Sequence, residues 1–244
     1  MTTLFISDLH LDASRPHITE LFAEFVRTRA RGSNALYILG DLFEAWIGDD
    51  VVDETGERVA SALADLHAHG VPCFYLHGNR DFLLGDAYAR RARMTLLPDP
   101  SIVPVEGERL LLMHGDTLCT DDAPYQAFRT QARAPAWQRA FLARPAAERQ
   151  AFAAQARAES QRYTRSVADA ITDVNDEAVR AAFGEHATAH LVHGHTHRPA
   201  LHAIDLAGTP VRRIVLGDWY EQGSVLRVER NGSGEGLLAE LEAL

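Results

Sequence analysis

At 244 residues the chain is long enough to bury one large core, and its formal net charge of −10 lacks the clustered positive charge of a protein whose main partner is nucleic-acid backbone. Only Cys73 and Cys119 occur, both beside apolar residues, so no disulfide framework is implied and both read as buried free thiols. No basic leader precedes the first apolar run and eighteen consecutive apolar residues occur nowhere, so a cytoplasmic, non-spanning protein is expected.

Leu4-Phe5-Ile6 predicts a first strand buried on both faces and leads into Asp8-Leu9-His10. Ile18, Leu21, Phe22, Phe25 and Val26 then have helical spacing and end before Gly32. Leu36-Tyr37-Ile38-Leu39 predicts a second strand, running into Gly40-Asp41. Val59, Leu63 and Leu66 mark another helix that stops before Gly70 and Pro72, and Cys73-Phe74-Tyr75-Leu76 a third strand, running into Gly78-Asn79. This alternation, from Thr3 to about Val105, is the grammar of a parallel α/β sheet. Leu110-Leu111-Leu112-Met113 leads into His114 as a fourth strand. From about 122 to 171 the composition turns to Ala, Arg and Gln, with aromatic residues at helix-compatible spacings and Pro135 and Pro145 dividing the segment. A helical cap inserted into one domain, 1–244, is expected there. Leu191-Val192 predicts a fifth strand, entering Gly194-His195-Thr196-His197. Val211–Val215 and Val225–Val228 are expected to return and close a second sheet, with Gly217-Asp218-Trp219 as a turn.

Each of the five strands thus ends at a metal-type ligand. Asp8 and His10, two apart on an extended strand end, are expected to share a face. Asp41 follows a glycine that permits close backbone approach, which suits a carboxylate bridging two ions. Asn79 adds a neutral oxygen, and His114, His195 and His197 add nitrogens. Any one of these residues alone is more often structural: a strand-end Asp caps or turns the chain, and a lone His is solvated or satisfied. The order DxH, GD, GN, H, GHxH is what points to metal. Oxygens mixed with imidazoles suit Mn, Fe or Zn over Ca, in a number sufficient for a dinuclear hydrolase. His77 and His193, each preceding a motif glycine, are expected in the core or behind the ligands. Asp116 and Asp121 either bond the ligands or shape the loop after His114; Asp12, Glu44, Asp50 and Trp46-Ile47-Gly48 gain no role from the sequence.

These motifs resemble those of the calcineurin-like metallophosphoesterases, from Asp8 to His197. Segments 6–11, 41–50 and 77–83 are similar to those of the bacterial lipid A branch of that family, whose substrate is UDP-2,3-diacylglucosamine. The resemblance implies a four-layer αββα sandwich, two Mn ions held by Asp8, His10, Asp41, Asn79, His114, His195 and His197, and hydrolysis to UMP and 2,3-diacylglucosamine 1-phosphate. It marks Asn79, Arg80, Asp122, Ser160, Thr164 and His195 as substrate contacts, with Asn79, Arg80 and His195 catalytic. Family members often carry Asn at the place of Thr164 and Lys at that of Val167; Arg162 or Arg165 would stand in for the latter.

Many members have a histidine acid where this chain has Arg80. A phosphate leaving group, with a last pKa of about 6, needs little protonation, so Arg80 favours pyrophosphate over alkyl phosphodiester cleavage. Residues 123–170 carry eight Arg and no Lys against three acids, so this segment is +5 while the remainder is −15. With Trp137, Phe141, Leu142 and Phe152, it either lines an acyl-chain groove, approaches anionic lipid, does both, or merely packs on the sheet. The expectation is a monomer, peripheral to the cytoplasmic side of the inner membrane, acting on an amphiphilic UDP-sugar lipid and not on nucleic acid. Dinucleoside polyphosphate hydrolases, cyclic-nucleotide phosphodiesterases and protein phosphatases would use the same ions. A non-catalytic scaffold of the same fold would be expected to have lost ligands, yet every position here is filled.

Overall fold

A computed structural model describes residues 2–168, 171–232 and 236–244, and only the backbone of Thr164. Asp169, one of the cap acids counted above, lies outside the described residues.

Strands β1 (Thr2–Ile6), β2 (Ala35–Leu39), β3 (Cys73–Leu76) and β4 (Met94–Leu97) run parallel, linked by α1 (Pro16–Thr28), α2 (Glu54–Ala68) and α3 (Asp86–Ala92). The second sheet has the order β5-β6-β7-β9-β8, formed by β5 (Ser101–Val105), β6 (Glu108–Met113), β7 (His190–His193), β8 (Ala200–Leu206) and β9 (Thr209–Val215). Its outer face carries α7 (Asp176–His186), which follows the cap helices α4 (Ala123–Ala132), α5 (Pro135–Leu142) and α6 (Ala146–Thr164). Strand β10 (Ser224–Arg230) pairs antiparallel with β1, and β11 (Leu237–Ala243) forms the edge beyond it.

Alternation along the strands explains the layering. Leu4 and Ile6 of β1 face a core shared with Phe22, Leu63 and Tyr88 of the three crossover helices, while Phe5 faces the other way. Phe5, Tyr37 and Leu39 meet Leu110, Leu112, Val192 and Ile214 between the sheets. Leu111 and Leu191 turn outward beneath Val179 and Phe183 of α7. Three apolar interiors between four layers make the fold the expected αββα sandwich.

Two boundaries differ from expectation. Val225–Val228 belongs to β10 in the first sheet, not the second, because its buried residues interleave with both interiors of β1. The βαβ alternation ends at β4; β5 already opens the second sheet, antiparallel to β6. The cysteines are free and buried, and burial pushes both thiols up to about 12.

The helical segment α4–α6 is fastened to the body by an apolar anchor and by arginines. Pro135 begins α5, and α6 follows Pro145, so the two prolines divide the segment where rigid φ favours helix starts. Phe141 is buried in the first core, with Trp137 stacked on it at 4.9 Å and Phe152 at 5.3 Å. Four of the eight cap arginines reach body groups: Arg129 to Asp116, Arg133 to the Gly78 carbonyl, Arg149 to Asp50 and Arg157 to Glu44. Arg139, Arg144, Arg162 and Arg165 remain exposed.

The Trp46-Ile47-Gly48 stretch has its role here. Trp46 Nε1 donates to Asp49, whose carboxylate in turn accepts the backbone N–H groups of Gly85 and Tyr88 at the start of α3. Gly48 has φ +131°, and a Cβ there would lie 2.5 Å from Arg149 Nη1 and 2.8 Å from Leu142 Cδ2. Gly48→Ala is expected to destabilise by about 1–3 kcal/mol and to speed tryptic cleavage at the exposed cap arginines. Unchanged melting and cleavage would show that the cap does not depend on this contact.

Candidate metal centre

All seven sequence-predicted ligands meet at one rim, where β1, β2, β3, β6 and β7 end. An unbroken series of contacts joins them. Asp8 Oδ1 lies 3.3 Å from His197 Nε2, which lies 3.2 Å from His10 Nε2. His10 Nδ1 is 3.9 Å from Asp41 Oδ2, and Asp41 Oδ1 is 3.8 Å from His114 Nε2. The Asn79 amide stands 2.8 Å from His114 Nε2 and 2.9 Å from His195 Nδ1. Asp8 with His10 and His197, and Asp8 with Asp41 and His114, each bring their ligand atoms within 4.8 Å of one another.

The backbone that achieves this is not an extended strand end. Strand β1 stops at Ile6, and Asp8 (φ 56°), His10 (49°), Asp41 (52°), His195 (69°) and His197 (55°) all occupy the left-handed region. Each such non-glycine residue costs about 1 kcal/mol or more and persists because its surroundings enforce it. Cross-loop bonds do so here: Asp8 N donates to the Gly40 carbonyl, and His10 N to that of Asp41. Gly78 fits because a Cβ there would fall 2.0 Å from Asp41 Oδ1. Asp8 and His10 converge through these turns, not through strand alternation.

Divalent cations fit the donor set. Asp8 Oδ1, His10 Nδ1 and Glu44 Oε2 are buried without a hydrogen-bond partner among the described residues, an expensive arrangement unless something positive gathers them. Burial works to raise the Asp8 carboxyl, but the His197, His114 and His10 imidazoles outweigh it and hold Asp8 well below the usual range. Burial, reinforced by Asp81 and Asp8 and opposed by His114 and Arg80, pushes Asp41 up to about 7. His114, against its own burial, is raised to about 9 by Asp41, Asp8 and Asp116. Burial lowers His195 to about 3. The shifts run in opposite directions within one cluster, because carboxylates and imidazoles share a site shut off from water. Asn79 is placed so that its NH₂ donates to Asp41 Oδ2 at 3.2 Å and its oxygen accepts from Arg80 Nε at 3.2 Å. Turned over, the amide would present its oxygen to a cation.

Residues around the ligands fix their direction. Asp81, fully buried, accepts the backbone N–H groups of Asp41, Leu42, Phe43 and Gly78, knitting the second and third motifs together. The Leu39 carbonyl stands 2.9 Å from His114 Nδ1, leaving Nε2 to face the cluster. Glu44 Oε2 lies 3.4 Å from His10 Nδ1, and its other oxygen meets Arg157 of the cap. Asp116 is buried and its Oδ2 is bonded to Tyr125 and Arg129 of α4. His193 is buried beside the Gly194 carbonyl and half-buried His77 faces that of Leu84.

The expected substrate contacts are spread more widely. Arg80 lies beside the ligands, its backbone N–H bonded to Asp41 Oδ1 at 2.8 Å and its guanidinium 3.8 Å from both Asp41 and Glu44. Asp122 is buried, caps α4 through Tyr125 N at 3.1 Å and accepts from Tyr163 Oη at 3.1 Å. Ser160 is exposed on α6; the Thr164 side chain lies outside the described residues.

Residues 1–199 match the calcineurin-like phosphoesterase family. The chain belongs to that family. Among its calcineurin-like relatives, a Xanthomonas oryzae pv. oryzae protein named UDP-2,3-diacylglucosamine hydrolase is 56% identical, covering 95% of this chain and 97% of its own. Proteins of the same name from Xanthomonas axonopodis pv. citri (56%; 96% and 97% covered) and Stenotrophomonas maltophilia (55%; 95% and 96%) match as fully. The family match ends before Gly217, so the contribution of residues 217–220 to the site, described below, falls outside it.

Proposed function

We propose that this calcineurin-like phosphoesterase uses two Mn ions to hydrolyse the pyrophosphate of UDP-2,3-diacylglucosamine to UMP and 2,3-diacylglucosamine 1-phosphate, in lipid A biosynthesis. The observation that carries this reading is the gathering of Asp8, His10, Asp41, Asn79, His114, His195 and His197 into one cluster with Arg80 beside it, in a chain 56% identical to proteins bearing that enzyme's name. Asp8, His10, His197 and Asp41 would hold one ion; Asp41, Asn79, His114 and His195 the other. When bound, the ions supply Lewis acidity toward phosphoryl oxygens and acidify water toward neutral pH.

The protein supplies the rest. Arg80 neutralises the diphosphate with a permanently charged planar group, and Asn79, between His114 and His195, orients a phosphoryl oxygen. Water oxygen joins the α-phosphorus, the bond from that phosphorus to the bridging oxygen breaks, and the sugar phosphate departs as an anion. The cap groove of about 300 Å³ is lined by Phe128, Trp137 and Phe152 on an apolar side that suits an acyl chain, and by Gln131, Gln155 and Glu159 elsewhere. The exposed Arg139, Arg144, Arg162 and Arg165 suit an anionic lipid surface on the cytoplasmic side of the inner membrane, where the protein would sit peripherally; no helix among the described residues is long and apolar enough to cross one. Ser160, Thr164 and His195 are proposed as further substrate contacts, and Asp122 as one reached by rearrangement of its cap bond.

Mn-dependent turnover in water enriched with heavy oxygen tests the whole reading. Label in UMP is expected. Label in the sugar phosphate would place attack on the other phosphorus, and preference for diadenosine tetraphosphate or a cyclic nucleotide would overturn the substrate.

A further inference from the structure

Strand β9 ends at Val215 and runs into Leu216-Gly217-Asp218, an apolar run, glycine and acid in the order of Ile38-Leu39-Gly40-Asp41. The loop it enters closes on one half of the cluster at three points. Trp219, fully buried against Phe22 and Phe25, donates its backbone N–H to the Asp8 carbonyl at 3.1 Å. The Tyr220 ring stacks on His10, with centroids 5.2 Å apart, and the Arg15 guanidinium lies over the same ring, 4.8 Å from its centroid. Asp218 Oδ2 stands 3.3 Å from His197 Nδ1, while Asp218 Oδ1 accepts the Tyr220 N–H at 3.2 Å.

We infer that Asp218 is a positioning residue for the Asp8, His10 and His197 half of the centre, holding the hydrogen of His197 on Nδ1 so that Nε2 offers its lone pair to a cation. The inference rests on the metal-hydrolase reading above. His197 Nε2 already points into the cluster, toward Asp8 Oδ1 and His10 Nε2, so Nδ1 is the nitrogen left for an outer partner. A carboxylate there fixes both tautomer and ring direction. The two oxygens divide the work: one shapes the loop, the other faces the imidazole. An asparagine whose oxygen keeps the Tyr220 bond would present NH₂ to Nδ1 and favour the tautomer that carries its hydrogen on Nε2, blocking the ligand.

Asp218→Asn therefore separates positioning from loop structure. In Mn titrations of the metal-free full chain followed by electron paramagnetic resonance, Asp218→Asn and Asp218→Ala are expected to weaken one of two Mn sites by about 10–100-fold. The second site and the metal-free melting temperature of the Asn variant should stay at their wild-type values. Two wild-type affinities in Asp218→Asn would overturn the assignment. So would equal loss at both sites with a lowered metal-free melting temperature, which is the mark of a structural role. Failure of the wild-type chain to take up Mn would sink the metal-hydrolase reading itself, an outcome distinct from both.

Discussion

Asp41→Asn is expected to lower turnover by about 10³-fold, equivalent to about 4 kcal/mol of transition-state stabilisation. The carboxylate is buried, and its two oxygens address opposite halves of the centre: Oδ2 toward His10 at 3.9 Å, Oδ1 toward His114 at 3.8 Å. Asparagine preserves the shape and the acceptor for Arg80 N while removing the charge that both halves share. Stability gives an independent readout. Mn at 100 times its dissociation constant stabilises a single-site protein by about 2.7 kcal/mol, which for a chain of this size raises Tm by about 5–11 °C. The wild-type chain should show at least that rise, and a chelator should reverse it together with activity. In Asp41→Asn the Mn-induced rise should shrink sharply. A variant with full turnover and the full rise would place Asp41 outside the catalytic centre.

The clustered residues are legible in the sequence for a specific reason. A strand buried on both faces must be apolar until its end, so a polar residue that follows it falls at the sheet rim. That logic located Asp8, Asp41, Asn79, His114 and His195 from single runs. It misdescribed how they converge, because five left-handed residues, none of them glycine, are forced by bonds between loops distant in sequence. It also passed over Asp81, Glu44 and Asp218. Asp81 serves backbone donors of two motifs that only the folded chain brings together, and Glu44 faces both a ligand and a cap arginine 113 residues away. Asp218 does carry the signal, following the run that ends β9, but its neighbouring Gly217 also suits a turn. The sheet that β10 joins is not legible in the same way, because alternation reveals two buried faces and not which neighbour supplies the hydrogen bonds. The charge partition of the cap was plain in composition. Its meaning, half stapling and half exposed surface, depended on which carboxylates lay beneath each arginine.

Arg80→His is expected to lower pyrophosphate turnover by about 10²–10³-fold while leaving Mn binding intact. The two effects separate because Arg80 meets Asp41 through its backbone N–H, bonded at 2.8 Å and kept in histidine, while its side chain meets the cluster closely only at the Asn79 oxygen, 3.2 Å from Nε. Its guanidinium stands 3.8 Å from both Asp41 and Glu44, half-buried at the edge of the cluster, where a diphosphate would meet it. A leaving phosphate, with its last pKa of about 6, departs without a proton, so what it requires from the protein is fixed positive charge. Histidine supplies that charge only when protonated, and offers an acid that this leaving group does not need. An alkyl phosphodiester reverses the requirement, since a departing alkoxide must be protonated. The variant should therefore lose turnover on the UDP-sugar lipid and lose less, or gain, on an alkyl phosphodiester, with the Mn-induced rise in Tm unchanged. Parallel kinetics on the two substrates measure the ratio. Unchanged pyrophosphate turnover, or equal losses on both, would remove Arg80 as the determinant of which bond is cleaved.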